Sequence, residues 1–299
     1  MTDARVGPAL QLGLAMAIAG TIGLFVKESG VGALNAVFWR CAIGAVAMLV
    51  FCVLAGYLRR PFGSRRDVVL TVIGGLCIVA NWVLGFEALA SISITLMTIV
   101  YHVQPFWVLF LVWFVFRDAP TRDHIVWVLL AFAGLVLAVG FDPGLEGEAS
   151  AVLLGAGLSL AASLLYAGAV VAAKAITQTR PAVVTLAHTI IGVALMAPLA
   201  TPSAQQLVSP AWPWLIGLGV LHTGIVYVLM YAAYPRLSGA AIAALTFIYP
   251  VTALIADAWV YDVRMTPAQI AGMLAIATAT IAVNRNWPIR WPLMPRRDV

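Results

Sequence analysis

Ten apolar stretches, each long enough to cross a hydrocarbon layer as a helix, follow one another along this chain with only short connections between them. They cover approximately residues 8–26, 33–57, 68–87, 91–116, 123–141, 150–173, 182–200, 211–234, 238–261 and 267–284. A hydrocarbon core of roughly 30 Å needs about 20 helical residues. Inside it every backbone group must be paired within the protein, which leaves helices or closed barrels. Barrel strands would read as shorter alternating segments, so the expected fold is all-α and integral to a membrane. Composition closes the soluble alternative: 63% of the residues are hydrophobic and 10% are charged, against roughly one quarter charged in an ordinary globular chain. The longest connections, 59–67, 142–149 and 201–210, read as surface loops, so no extramembrane domain is expected.

The basic residues report topology. If the N-terminus is placed on one side, that side collects Arg5; Arg59, Arg60, Arg65 and Arg66; Arg117 and Arg122; Lys174 and Arg180; Arg236; and Arg285, Arg290, Arg296 and Arg297. The opposite side has Lys27, taken as lying just past the first helix, and Arg264, while Arg40 lies within the second span. The positive-inside rule then puts both termini in the cytoplasm, and only an even number of spans allows it. The same count argues that the first apolar run, with its Ala15-Met16-Ala17 resemblance to a cleavage site, is retained. The net charge of +5 is not arranged as a basic and aromatic surface, so no nucleic acid partner is expected. Cys41, Cys52 and Cys77 lie in apolar segments without metal spacing, so no metal or cofactor is expected.

A register of 145 residues aligns the two halves. Gly74 falls on Gly219, Ala88 on Ala233, Ser93 on Ser238, Pro105 on Pro250, Thr121 on Thr266 and Ile125 on Ile270. The coincidence of intramembrane prolines, pre-helix threonines and span boundaries carries more weight than the few identities. Two units follow, 1–145 and 146–299, with five spans each. Five is odd, so the second unit inserts upside down, the inverted-repeat plan of secondary transporters with a site at the midplane.

Each half has a proline-interrupted fourth helix, Tyr101-His102-Val103-Gln104-Pro105 and Thr246-Phe247-Ile248-Tyr249-Pro250, followed by a Thr-led fifth helix. The second half adds Thr266-Pro267-Ala268-Gln269 and Gly272. On these features the chain resembles the drug/metabolite transporter superfamily and its EamA repeat, over essentially its whole length, and within it is most similar to the YddG-type amino acid exporters. The resemblance implies a bacterial inner-membrane exporter of aromatic and other neutral amino acids, working by alternating access. One departure is that the repeat usually carries Glu near the end of its fourth helix. Here Asp118 stands in the first half and Asp262, displaced by one, in the second.

Polar groups at membrane depth are costly and mark functional sites by default. The expected substrate site combines Asn81 and Trp82 of the third helix, Tyr101, His102 and Gln104 of the fourth, Ser163 and Tyr166 of the sixth, His222 and Tyr227 of the eighth and Tyr249 of the ninth. Together these make aromatic walls with a few polar contacts, suited to a zwitterion with an apolar side chain. Trp82 falls on Tyr227 in the repeat register. Pro105 and Pro250 each remove a backbone donor and free a carbonyl, and are the expected hinges. Arg40 reads either as a packing contact or as an anion site. Glu87 and Asp257 fall at outer span ends. His102, His222 and His188, the last nearer the inner end of the seventh span, read as packing residues or as proton sites, and with no carboxylate near a span centre the expected mode is facilitative uniport. Trp107, Trp113, Trp127, Trp212, Trp214, Trp259, Trp287 and Trp291 are read as interfacial or lipid-facing.

The alternatives are a transporter of the same plan for a cationic drug or nucleobase, proton-coupled or not, and an intramembrane enzyme. Gly157-Leu158-Ser159 starts a nucleophile elbow, but position 161 is Ala, and no HExxH pattern occurs. The expectation is therefore no enzyme. Two complementary halves enclose a site in one chain, so a functional monomer is expected.

Overall fold

The computed structural model describes residues 3–140, 149–203, 205–206 and 210–289, with side chains from residue 7 onward. Among them, nine helices are long and apolar enough to cross a membrane. In chain order they are α1 (Gly7–Ser29), α2 (Ala33–Leu54), α3 (Arg65–Ala88), α4 (Ile94–Phe116), α5 (Arg122–Val139), α6 (Ala149–Ala175), α8 (Trp212–Arg236), α9 (Gly239–Val260) and α10 (Pro267–Asn284). Between α6 and α8 lies α7 (Pro181–Met196), apolar but 16 residues long. The expected seventh span of 182–200 is thus shortened. At 1.5 Å per residue α7 reaches about 24 Å, and a turn after Met196 leads into non-helical chain at Thr201. Residues 142–148 of one expected loop, and Arg290, Trp291, Arg296 and Arg297, lie outside the described residues.

The two halves repeat in detail. Helix α4 is broken into Ile94–Tyr101 and Gln104–Phe116, of 8 and 13 residues. Helix α9 is broken into Gly239–Thr246 and Ile248–Val260, again 8 and 13. Each break lies just before its proline, which cannot donate to the residue four earlier. Ser93 Oγ accepts Leu96 N–H at 3.1 Å and Ser238 Oγ accepts Ala241 N–H at 3.2 Å, the same N-cap one repeat apart. Thr121 and Thr266 both close capping boxes on helices of 18 residues. Even the backbone exceptions coincide: Arg117 (φ 58°) and Asp262 (φ 51°) take left-handed conformations at equivalent positions, though neither is glycine.

Packing follows the same rule. Helix α2 packs on α7, and α5 on α10. The α3–α6 contact recurs as α8–α1, α4–α6 as α9–α1, and α3–α7 as α8–α2. These contacts between the halves are therefore matched with the roles exchanged. Closeness comes from small residues. A Cβ on Gly272 would stand 2.7 Å from Ala138 N and 2.8 Å from Ala138 Cβ, and one on Gly239 would stand 2.8 Å from Val112 Cγ1.

Two further irregularities have no proline behind them. Helix α1 breaks at Thr21, between Asp3–Gly20 and Ile22–Ser29. Helix α8 widens into a π segment at Val220–Ile225. The side chains of Lys27 and Glu28, expected just past the first helix, belong to its last turn, which Gly30 (φ 63°) terminates.

Contacts between loops define two ends of the bundle. At one end Arg236 Nη2 donates to Gln11 Oε1 (2.7 Å), Asp67 Oδ2 accepts Gln178 N–H (3.0 Å), Asp118 Oδ2 accepts Gly239 N–H (2.9 Å), and His124 pairs with Asn286. Lys174 donates to the Tyr234 and Leu237 carbonyls there, with its ammonium 5.3 Å from the Phe116 ring. At the other end Lys27 Nζ lies 3.6 Å over the Tyr261 ring, and the Tyr261 hydroxyl donates to Glu28 Oε1 at 2.7 Å. That carboxylate pushes the Tyr261 pKa up to about 12. Phe116 and Tyr261 are one repeat apart, so each end sets a lysine against the same repeat position.

Candidate functional site

The break in α4 places Tyr101 and His102 where the helix ladder is interrupted. Tyr101 turns toward α3 and α6. Asn81 Nδ2 donates to its hydroxyl at 3.0 Å and to the Ala162 carbonyl at 2.8 Å, tying three helices together. The Tyr101 and Tyr166 rings lie 6.3 Å apart, and the Tyr166 hydroxyl lies 3.4 Å from that of Tyr234. His102 Nδ1–H donates to Thr98 O at 2.7 Å, and its ring faces Phe247 (6.4 Å) and Tyr249 (6.3 Å), the residues of the α9 break. The two broken helices therefore meet through aromatic side chains. Pro105 and Pro250 follow the breaks and are buried.

Trp82 and Tyr227, related by the repeat, touch edge to face with centroids 6.3 Å apart. Beside them stands Arg40, only 6% exposed. Its Nε donates to Thr223 Oγ1 at 2.9 Å, and its guanidinium carbon lies 4.7 Å from the Trp82 ring and 6.0 Å from that of Tyr227. A small cavity of about 10 Å³ is lined by Ile78, Trp82, Thr185, His188, Thr189, Thr223 and Tyr227. That is room for about one water.

His222 sits apart from this group, in the π segment of α8. Its Nδ1–H donates to Gly217 O (3.2 Å), its Nε2 is 2.9 Å from Thr21 Oγ1 at the α1 break, and Phe25 stacks edge-on at 4.5 Å. The Thr21 hydroxyl is also 2.8 Å from Ile18 O. One hydroxyl proton has two destinations, Nε2 or the carbonyl. Ser163 turns its hydroxyl to Leu160 O of its own helix (2.7 Å), and so contributes no free donor in this arrangement. Gln104 is buried, and its Oε1 has no hydrogen-bond partner among the described residues.

Sequence reasoning noted His188 as a packing residue or proton site but missed Thr185 and Thr189 on the same face of α7. His188 Nε2–H donates to Thr71 O (2.9 Å) and Nδ1 accepts the Tyr231 hydroxyl (2.7 Å), with Thr185 and Thr189 on the same side of the helix. The signal was present as two threonines and a histidine at helical spacing in an otherwise apolar run. The reading of Trp107 as interfacial is corrected. It packs against the main core, and its Nε1 is buried without a hydrogen-bond partner among the described residues. Trp113, Trp212, Trp259 and Trp287 are exposed on the outer surface as expected, Trp259 by 87%.

Comparison with known proteins gives this arrangement its context. Residues 8–140 and residues 153–285 each match the EamA-like transporter family, an offset of 145 between the matched segments. The chain belongs to the EamA-like transporter family. This EamA-like protein is also similar to a chain named "Uncharacterized transporter YxxF" from Bacillus subtilis (strain 168), at 30% identity over 272 residues covering 89% of this chain and 86% of that one. A crystal structure of another protein superposes with a TM-score of 0.81 over 93% of this chain and 96% of that one, at 19% identity, and shares the fold. An EamA-like chain with these apolar helices is a multi-pass membrane protein, and its family is one of transporters.

Proposed function

We propose that this EamA-like protein is a bacterial inner-membrane secondary transporter that exports aromatic and other neutral amino acids as a facilitative uniporter. It works as a monomer of ten membrane-crossing helices, with α7 as the short one, in two inverted units, 1–145 and 146–299. Both termini are cytoplasmic. The observation that carries this reading is the meeting of two equivalent helix breaks, His102 against Phe247 and Tyr249, beside the Trp82–Tyr227 pair. Broken helices are where transporters expose backbone carbonyls to substrate, and the Tyr101 and Thr246 carbonyls face prolines that cannot pair with them. Aromatic walls suit a neutral or aromatic side chain. Orientation is supported by the basic residues: Arg236, Lys174 and the loops at Asp67 and Asp118 share one end of the bundle.

The cavity of about 10 Å³ is far smaller than an amino acid, so transport requires the helices around it to part. The test is uptake into proteoliposomes of labelled tryptophan, phenylalanine, methionine and threonine, with and without an imposed pH gradient. Saturable uptake without the gradient is the expected result. Movement of a cationic drug or nucleobase but of none of the four amino acids would overturn the substrate reading.

A second reading, proton coupling, is favoured by one observation. With neutral His222 the Thr21 hydroxyl donates to Nε2; with the ring doubly protonated, Nε2–H donates to Thr21 and the hydroxyl turns to Ile18 O. The Nδ1–H bond to Gly217 O and the His222–Thr21 bond are kept in both forms, and the protonated form adds the bond from the Thr21 hydroxyl to Ile18 O. Uptake that appears only with the gradient, and is lost in Thr21→Val, would establish this reading over uniport.

A further inference from the structure

Arg40 is a full charge set among apolar helices. It is 6% exposed, seven residues into α2, and no carboxylate pairs with it among the described residues. An unneutralised charge at this depth is costly, and the surroundings offset only part of that cost. Thr223 takes Nε, the Trp82 face supplies a cation–π contact, and the Tyr227 ring lies 6.0 Å from the guanidinium carbon. The two terminal nitrogens, the fork that matches a carboxylate in shape, meet no carboxylate among the described residues.

Its placement is equally specific. Trp82 and Tyr227 are repeat equivalents in contact, so the axis relating the halves passes between them, and Arg40 lies against both rings. The equivalent of Arg40 in the second half is Thr185, which lines the small cavity together with Trp82, Thr223 and Tyr227, the side chains that Arg40 touches. A symmetric scaffold thus carries a charge on one side of its centre and a hydroxyl on the other. A ligand there is held in one orientation, with its anionic end toward α2 and α8 and its apolar body toward the aromatic side chains of α4, α6 and α9.

We propose that Arg40 is the carboxylate anchor of the substrate site, and that the ligands it selects are small organic anions with an apolar body, the ammonium group being dispensable. This rests on the reading of the same site as a substrate site, and names the end of the amino acid that the protein recognises.

The experiment is thermal unfolding of the purified full-length protein in detergent, titrated with phenylalanine, phenylacetate and phenethylamine, in wild type, Arg40→Gln and Arg40→Lys. Phenylalanine and phenylacetate are expected to raise the Tm. Phenethylamine, which lacks the carboxylate, should need roughly ten- to a hundredfold higher concentration, the span that a hydrogen-bonded charge contributes. Arg40→Gln should erase the preference and Arg40→Lys should keep part of it. Phenethylamine acting as well as phenylacetate on the wild type, or no shift with any of the three, overturns the assignment, and neither outcome depends on a variant folding. A folded Arg40→Gln that still prefers phenylacetate overturns it too. The two readings fail separately. Phenylacetate binding without amino acid transport sinks amino acid export and keeps Arg40, whereas phenylalanine transport inhibited equally by phenethylamine does the reverse.

Discussion

Replacing Asn81 with Leu keeps the approximate volume of a side chain that is 2% exposed but removes its two donated hydrogen bonds, at 3.0 Å to Tyr101 Oη and 2.8 Å to Ala162 O. Side-chain hydrogen bonds between membrane helices contribute about 0.6 kcal/mol on average and about 1.7 kcal/mol at most. Two of them set the expected loss at about 1.2 kcal/mol. Tyr101→Phe removes only the shared bond and should cost about 0.6 kcal/mol. The double variant cannot lose that bond twice, so a double-mutant cycle should show a coupling of about 0.6 kcal/mol, rising toward about 1.7 kcal/mol if the bond is strong. The measurement is unfolding of the full-length protein in mixed bicelles by increasing SDS. Additivity to within about 0.3 kcal/mol would refute the claim that Asn81 restrains the α4 break through Tyr101. If the restraint holds the break in place, both variants should also alter the transport rate, Asn81→Leu the more because it frees α6 as well as α4.

Two further outcomes are expected. Gly272→Ala should destabilise the protein by about 1–3 kcal/mol in the same unfolding assay, because its Cβ meets the backbone of Ala138; Gly157→Ala, with open space around its Cβ, should be neutral or stabilising by up to about 1 kcal/mol. Tyr261 links stability to alkaline pH. Its folded pKa is raised to about 12 by Glu28, above the usual value near 10, so its contribution is complete below about pH 10 and is lost as pH rises toward 12. Thermal unfolding followed from pH 9 to 12 should show that loss diminished in Tyr261→Phe, and an unchanged profile would contradict the Glu28 contact.

What could be read from sequence was whatever polar or backbone chemistry imposes locally. Ser93 and Ser238, Thr121 and Thr266, and Pro105 and Pro250 each act within four residues of themselves, and all appear where the 145-residue register puts them. Trp82 and Tyr227 came through the same register and do touch. What stayed hidden depends on which helix face meets protein and which meets lipid. Lipid tails are as apolar as a leucine core, so a membrane helix carries little amphipathic pattern to separate the two. Trp107 was therefore assigned to the outside, and Thr185 and Thr189 beside His188 on α7 went unremarked. The break at Thr21 and the π segment at Val220–Ile225 have no proline to announce them. Gly20 belongs to the first of these, since a Cβ there would stand 2.5 Å from the Tyr249 carbonyl, a tertiary fact with no local signature.

Helix α7 gives the surrounding membrane a part in the transport cycle. At about 24 Å it falls short of a typical hydrocarbon core by about 6 Å, while Ile190 and Leu195 toward its far end are exposed on the surface of the bundle. In the ten-span reading proposed above, lipid beside α7 must thin to meet it, at a cost of a fraction of a kcal/mol per Å. Since α7 packs on α2, which carries Arg40, and supplies His188 to the cavity wall, acyl-chain length bears on the same helices that have to part for a substrate to pass.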